Sequence, residues 1–195
     1  MKRFLAILMA LLAVTFIFAS CGNNGDADAN PDTQQTTDDH TKFRTGNELF
    51  KGITSTDLEG KEVDDSVFKG KKLTMVNIWG TFCSPCIGEM PDLQTLSEEY
   101  ADKGLQIVGI VCDVLDSEDT ETIDMAKSIV ADTGVKYQNL LPSDSLKTAI
   151  LDSIISVPAT IFLDEDGKQI GQNYIGSRSL DGWKAVVDSI LADME

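Results

Sequence analysis

The chain has 195 residues, 32 of them acidic against 16 basic, for a formal net charge of −16. So acidic a surface argues against nucleic acid, whose binding depends on cationic neutralisation of phosphates, and against docking onto anionic headgroups. The four cysteines are Cys21, the close pair Cys83 and Cys86, and the lone Cys112. A fold stapled by disulfides would spread several pairs along the chain, so one close pair suggests a catalyst.

Met1-Lys2-Arg3 is a short positive region followed by the apolar run Phe4 to Ala19. A spanning helix needs about 20 apolar residues, so this shorter run suits a signal peptide over residues 1–20. It ends in Phe18-Ala19-Ser20-Cys21, which resembles a bacterial lipobox and makes Cys21 the expected site of lipidation. Residues 21–46 are polar and acidic without apolar periodicity, and are expected to be a disordered linker because they cannot offset their ordering entropy by burial. The chain's one histidine, His40, sits there and reads as a solvated side chain.

From residue 47 the pattern becomes that of one domain running to 195. Ile53 to Leu58 and Glu62 to Val67, around Glu59-Gly60-Lys61, predict a β-hairpin. Leu73 to Trp79 predicts a buried strand. Ile87 to Tyr100 predicts a helix, with Ile87, Met90, Leu93, Leu96 and Tyr100 on one face and Pro91 kinking it. Gly104 ends that helix and Leu105 to Cys112 is a second buried strand, so the three form a right-handed βαβ unit of an α/β fold. A helix over Thr120–Thr133, a short strand over Val135–Leu141 and a helix capped by Ser143 or Asp144 and running through Leu151 come next. The apolar run Ile154 to Asp164 contains Pro158 where a strand can tolerate proline. A turn at Asp164-Glu165-Asp166-Gly167 leads into Lys168–Ile175, and Leu180–Ala192 is the last helix.

Cys83-Ser84-Pro85-Cys86 lies at the junction of the first buried strand and its helix. Disulfide exchange needs an exposed thiolate and a second thiol near enough to resolve the mixed disulfide. Cys83 falls where the helix dipole favours negative charge, below the free thiol pKa of about 8.5, and Cys86 lies one turn further in. Pro85 costs nothing in the first turn, where its missing N–H would be unpaired. Structural zinc would want four ligands, copper delivery an extra histidine or methionine, and a purely structural bridge a longer loop. Ser84-Pro85 brings no cation between the sulfurs, which favours a reducing pair. Cys112 ends the second strand and is either a small buried residue or a third redox thiol approaching Cys86. Glu89, three residues after Cys86, would have a raised pKa near Met90 and Trp79 and could exchange protons with the thiols.

The block Val76-Asn77-Ile78-Trp79-Gly80-Thr81-Phe82-Cys83-Ser84-Pro85-Cys86-x-x-Glu89-Met90-Pro91 resembles the TlpA/ResA-like extracytoplasmic thiol–disulfide oxidoreductases. The resemblance covers about Leu49 to the C-terminus. It implies a thioredoxin-like fold, a central mixed sheet flanked by helices, with an N-terminal β-hairpin and Thr120–Thr133 as a helical insertion. It implies that Cys83 attacks, Cys86 resolves, Glu89 is the acid beside them, and Val157-Pro158 is a loop with a cis-proline facing the disulfide. Trp79, Phe82, Ser84, Pro85, Val157 and Pro158 would then form the substrate-binding surface. No cofactor beyond the Cys83–Cys86 disulfide and no metal are expected. The implied partners are a membrane thiol carrier of the cytochrome-c-biogenesis type as electron donor and an exported disulfide-containing protein as substrate. That substrate could be an apocytochrome c or a methionine sulfoxide reductase. The alternatives are a thiol peroxidase on the same fold and a non-enzymatic lipoprotein binding module.

Overall fold

The computed structural model describes residues 46–195. The expected signal peptide, Cys21, His40 and the linker up to residue 45 lie outside the described residues. Among the described residues no helix is long and apolar enough to cross a membrane.

A five-stranded sheet organises the domain. Its first strands are Leu73–Trp79 and Leu105–Val111, every residue of the first being buried. Numbering strands in chain order, β1 is Thr54–Thr56, β2 Glu62–Asp64, β3 Leu73–Trp79, β4 Leu105–Val111, β5 Asn139–Leu140, β6 Ala159–Leu163 and β7 Gln169–Ile175. The order across the sheet is β5-β4-β3-β6-β7, with β3 parallel to β4, β4 parallel to β5, and β6 antiparallel to both its neighbours. Near-continuous runs of Ile, Val and Leu are what a strand buried on both faces requires. The helices are α1 Ser84–Tyr100, α2 Thr120–Thr133, α3 Asp144–Ala149 and α4 Leu180–Asp193.

The period-2 alternation of the strands sorts side chains between two apolar layers. Leu73, Met75, Trp79, Leu105, Ile107 and Val111 pack with Met90, Leu93 and Leu96 of α1 and with Trp183, Val187 and Ile190 of α4. Val76, Ile78, Val108 and Ile110 pack on the other face with Phe50, Phe68, Leu140 and Leu146. The mixed α/β sheet, the β1–β2 hairpin and the helical insertion α2 are as expected. At the sheet's outer end the carbonyl of Asn47 accepts the N–H of Gln169, the first residue of β7.

Several boundaries differ from the sequence reading, each for a local reason. The hairpin is only three residues long on each side, because Asp64 accepts the N–H of Ser66 at 3.0 Å and starts a 3-10 turn over Asp65–Phe68. That turn drops Phe68 into the core, where its ring stacks on Phe50 at 4.2 Å. Helix α1 starts three residues before Ile87, at Ser84, since Cys83 rather than a later residue caps it. It continues through Pro91, whose carbonyl accepts the hydroxyl of Thr95 at 3.0 Å. The strand expected over Val135–Leu141 is only Asn139–Leu140. Within the Ile154–Asp164 run only Ala159–Leu163 is strand; Ile155 lies in the preceding loop at 96% exposure.

Candidate active site

Strand β3 delivers its last residue, Trp79, to the end of the sheet where α1 begins. Between them, Gly80 carries no side chain where the ring of Phe82 lies; a Cβ there would come within 2.7 Å of it. Cys83 has extended backbone angles (φ −93°, ψ 91°) and its sulfur accepts the N–H of Cys86 at 3.2 Å. That is an N-cap made by sulfur: one of the helix's otherwise orphaned N–H groups points at the residue expected to carry negative charge. Cys83 and Cys86 are joined in a disulfide with 5.3 Å between their Cα atoms. Both are buried, at 5% and 0% exposure, so Cys83 is the more accessible sulfur but not the exposed one the sequence reading expected. Phe82 covers the approach at 71% exposure, with Ser84 and Pro85 exposed beside it.

Behind the disulfide, Glu89 is almost wholly buried, at 3% exposure. Its carboxylate accepts three hydrogen bonds: from Asn77 Nδ2 at 3.2 Å, from the backbone N–H of Arg178 at 3.1 Å and from Trp183 Nε1 at 3.1 Å. Burial pushes its pKa up, and these donors together with the Arg178 charge pull part of that back. Asn77 also donates to Thr160 Oγ1 at 3.3 Å, while its own Oδ1 has no partner. The Arg178 guanidinium lies about equally far from the rings of Tyr174 and Trp183, at 5.1 and 5.0 Å from their centroids. These cation–π contacts orient the guanidinium, whose Nη1 also donates to the carbonyl of Gly176 at 3.2 Å. Tyr137, whose buried hydroxyl also lacks a partner, has its pKa raised by burial and by the Glu89 charge.

Phe82, Cys83, Ser84, Pro85 and Cys86 follow the end of β3, and Val157-Pro158, a cis peptide, enters β6 at that same end of the sheet, where Ile78 pairs with Ala159. Val157 is half-buried and Pro158 buried. Trp79 is a correction: it is fully buried and its indole N–H is committed to Asn139 Oδ1 at 2.9 Å, so it supports the site from below rather than facing a partner. For Cys112 the structure decides between the two readings in favour of a packed residue. Strand parity puts it on the opposite face from the disulfide, packed with Val108 and Ile110, where burial and neighbouring Asp113 push its thiol up to about 11. It therefore does not approach Cys86 as a third redox thiol. Sequence reasoning assigned no role to Asn77, on β3 itself, and missed Arg178, Trp183 and Asp113, which are brought in from distant segments. The Asp113 carboxylate accepts both the N–H and the hydroxyl of Thr81.

The match to a protein-family model spans residues 31–179 and its description is Redoxin. The chain belongs to the Redoxin family. A similar relative is the thiol-disulfide oxidoreductase ResA of Bacillus thuringiensis subsp. konkukian, 34% identical over 117 residues, which are 59% of this chain and 61% of that protein. The chain thus spans less than two thirds of that relative's length. A ResA of Bacillus cereus is 31% identical over 141 residues, covering 72% of this chain and 75% of the relative. Among solved structures, the thioredoxin domain of a thiol-disulfide oxidoreductase from Bacteroides vulgatus aligns with a TM-score of 0.59. It is 26% identical, over 77% of this chain and 99% of that one. This redoxin is accordingly of the ResA type, with a thioredoxin-like fold.

Proposed function

We propose that this redoxin is an extracytoplasmic thiol–disulfide oxidoreductase that works as a protein-disulfide reductase, tethered to a membrane by a lipid on Cys21. The observation that carries the chemistry is the Cys83–Cys86 disulfide at the N-terminus of α1, with the buried carboxyl of Glu89 one turn further along the same helix. In the reduced enzyme Cys83, as thiolate, attacks one sulfur of a partner's cystine. The partner's S–S bond breaks, the Cys83–partner mixed disulfide forms, and the partner's other sulfur leaves as thiolate. Cys86 then attacks Cys83 Sγ, restoring the internal disulfide and freeing the partner's second thiol. Two electrons pass to the partner.

Cys86 is fully buried and must lose its proton before it can attack. Glu89 lies three residues along one helix, where side chains are neighbours, and its raised pKa suits a group that takes that proton and later returns it. Phe82, Ser84, Pro85 and the Val157-Pro158 loop form the surface a partner segment would meet. The exposed apolar side chains Phe82 and Ile155 supply contact area there.

The reducing direction is supported by what surrounds Cys83. Strong oxidants stabilise their reduced thiolate heavily. Here the first turn of α1 carries Ser84-Pro85 and no charged residue. The donor is then a membrane thiol carrier of the cytochrome-c-biogenesis type. The substrate is an exported disulfide-bearing protein, an apocytochrome c or a methionine sulfoxide reductase. No cofactor beyond the cysteine pair is needed for this cycle.

Reduction of insulin by the purified domain with a thiol donor tests the activity; a non-enzymatic binding module would give no turnover, and Cys83→Ser must abolish it. Equilibration with glutathione tests the direction. A potential near that of thioredoxin, about −270 mV, supports a reductase, and one near about −120 mV reverses it.

A further inference from the structure

The ladder joining β3 to β4 has its last rung where the carbonyl of Trp79 accepts the N–H of Cys112 at 2.8 Å. Beyond it the chains part, one into the turn that carries Cys83 and the other into the polar segment 113–119. Thr81 is past the last rung, so its N–H has no strand partner, and a half-buried backbone donor left unpaired is costly. Asp113, the residue after Cys112, takes over that rung with a side chain. Its Oδ1 and Oδ2 lie 3.1 and 3.0 Å from Thr81 N, and the Thr81 hydroxyl donates to Oδ2 at 2.6 Å. Both donors of one residue therefore converge on one carboxylate, a strong and geometrically specific arrangement. The other end of the turn is pinned by the N–H of Cys83 on the carbonyl of Gly80 at 3.0 Å. Burial of Phe82 does not hold the turn, since that ring is 71% exposed.

We propose that Asp113 is a positioning residue for the attacking sulfur: by gripping Thr81 it fixes the Gly80–Cys83 turn so that Cys83 Sγ meets the N-terminus of α1. The idea rests on Cys83 being the nucleophile. The acceptor geometry matters here, not the charge, because a carboxylate near a thiolate opposes its ionisation. The favourable effect of a helix N-terminus fades within the first turn, so a sulfur released from this position loses it. Other titratable or charged groups toward this end of the sheet include Cys86 and Glu89 on α1, Cys112 beside Asp113, Tyr137 ahead of β5 and Arg178 ahead of α4, with Asp116, Glu118 and Asp119 in Asp113's own loop and Lys147 donating to the Leu115 carbonyl.

The test compares Asp113→Ala, Asp113→Asn and Thr81→Ala in the reduced domain, following the rate of Cys83 alkylation across a pH series and the rate of disulfide exchange. Asp113→Ala should move the Cys83 titration up toward that of free cysteine and slow exchange by about tenfold or more, as small misplacements of reacting groups do. Asp113→Asn keeps one oxygen, in the place of Oδ2, that can accept from both Thr81 donors, although its NH₂ then faces the Thr81 N–H, and should restore most of the profile. Thr81→Ala, which removes only the hydroxyl bond and leaves the fold unburdened, should shift it part of the way. Wild-type titration and rate in Asp113→Ala would overturn the proposal. So would Asp113→Asn behaving like Asp113→Ala, because the charge would then be the active property. Cys83→Ser is the separating control: residual exchange in that variant defeats the assignment of the nucleophile, whatever Asp113 does.

Discussion

Replacing Glu89 by Gln and by Ala should give two different proteins. In Glu89→Gln the amide oxygen can take the place of Oε2 and keep accepting from Arg178 N and Trp183 Nε1. Its NH₂ then faces Asn77, and a flip of that amide presents the unpartnered Oδ1 to receive it, while the Thr160 hydroxyl can donate to the same oxygen. Three charge-assisted bonds become neutral ones, but a buried carboxylate no longer has to be desolvated, so the net change in stability should be within about 1 kcal/mol. Glu89→Ala leaves the same three donors facing nothing. At about 1–3 kcal/mol for each unsatisfied buried group, a loss of at least about 3 kcal/mol follows, a large share of a typical domain's stability. Urea unfolding of the oxidised forms measures both. Exchange by Glu89→Gln should nevertheless fall by about 10²-fold or more, because the amide cannot accept the Cys86 proton. Wild-type exchange in Glu89→Gln, or equal destabilisation in both variants, would refute the argument. The pH dependence has a definite sign. A carboxyl whose pKa is raised on folding above its ordinary 4.5 binds more protons in the native state than in the unfolded chain. Its contribution is therefore full below 4.5 and declines as pH rises through the folded value, so the stability advantage of wild type over Glu89→Gln should shrink on going from pH 4 to pH 7.

Cys112→Ser should leave exchange at the wild-type rate, and in the reduced folded domain one thiol, Cys83, should alkylate readily near pH 8, with Cys86 held back by its burial and Cys112 by its raised pKa. Three equally fast thiols would contradict the placement of Cys112. Gly109→Ala should destabilise the domain by about 1–3 kcal/mol in urea titrations, because its Cβ would collide with Asn139 Oδ1 and displace the acceptor of the Trp79 indole. Phe82→Ser should alter stability by less than about 0.5 kcal/mol, given the exposure of that ring, while raising the KM for a protein substrate. An unchanged KM would remove Phe82 from the partner surface.

The β3–Cys83–α1 segment was legible because its information is local: a continuous apolar strand, a short junction, then 3.6-residue periodicity. Glu89 could be picked out by its spacing from Cys86, but its setting could not. Arg178 and Trp183 reach it from 89 and 94 residues away, and no local pattern announces that their N–H groups converge on one carboxylate. Cys112 was left open between two readings although its orientation was available in principle. Trp79 pairs with Val111, and one step of strand parity sends the next side chain to the other face. Trp79 was read from its apolar run as the end of a buried strand and from the family resemblance as part of the partner surface; the first reading holds, and its indole N–H is taken by Asn139, which reaches it across a glycine on the neighbouring strand. Ile155 shows the opposite failure. An apolar residue in an apolar run reads as core, yet it lies in the loop before β6, outside both packed layers.

The bond between Asn47 and Gln169 marks the end of β7 at which the chain joins the sheet. Gln169 pairs with Leu163 at one end of the sheet, whereas Ile175, at the other end of β7, pairs with Ala159 beside Pro158. Seven residues of strand span about 20 Å, so the polypeptide enters the fold at the pole farthest from the sulfurs. A partner bound at the Asn47 end would therefore leave the sulfur-bearing end of the sheet free, and one bound at the sulfurs would leave the Asn47 end free.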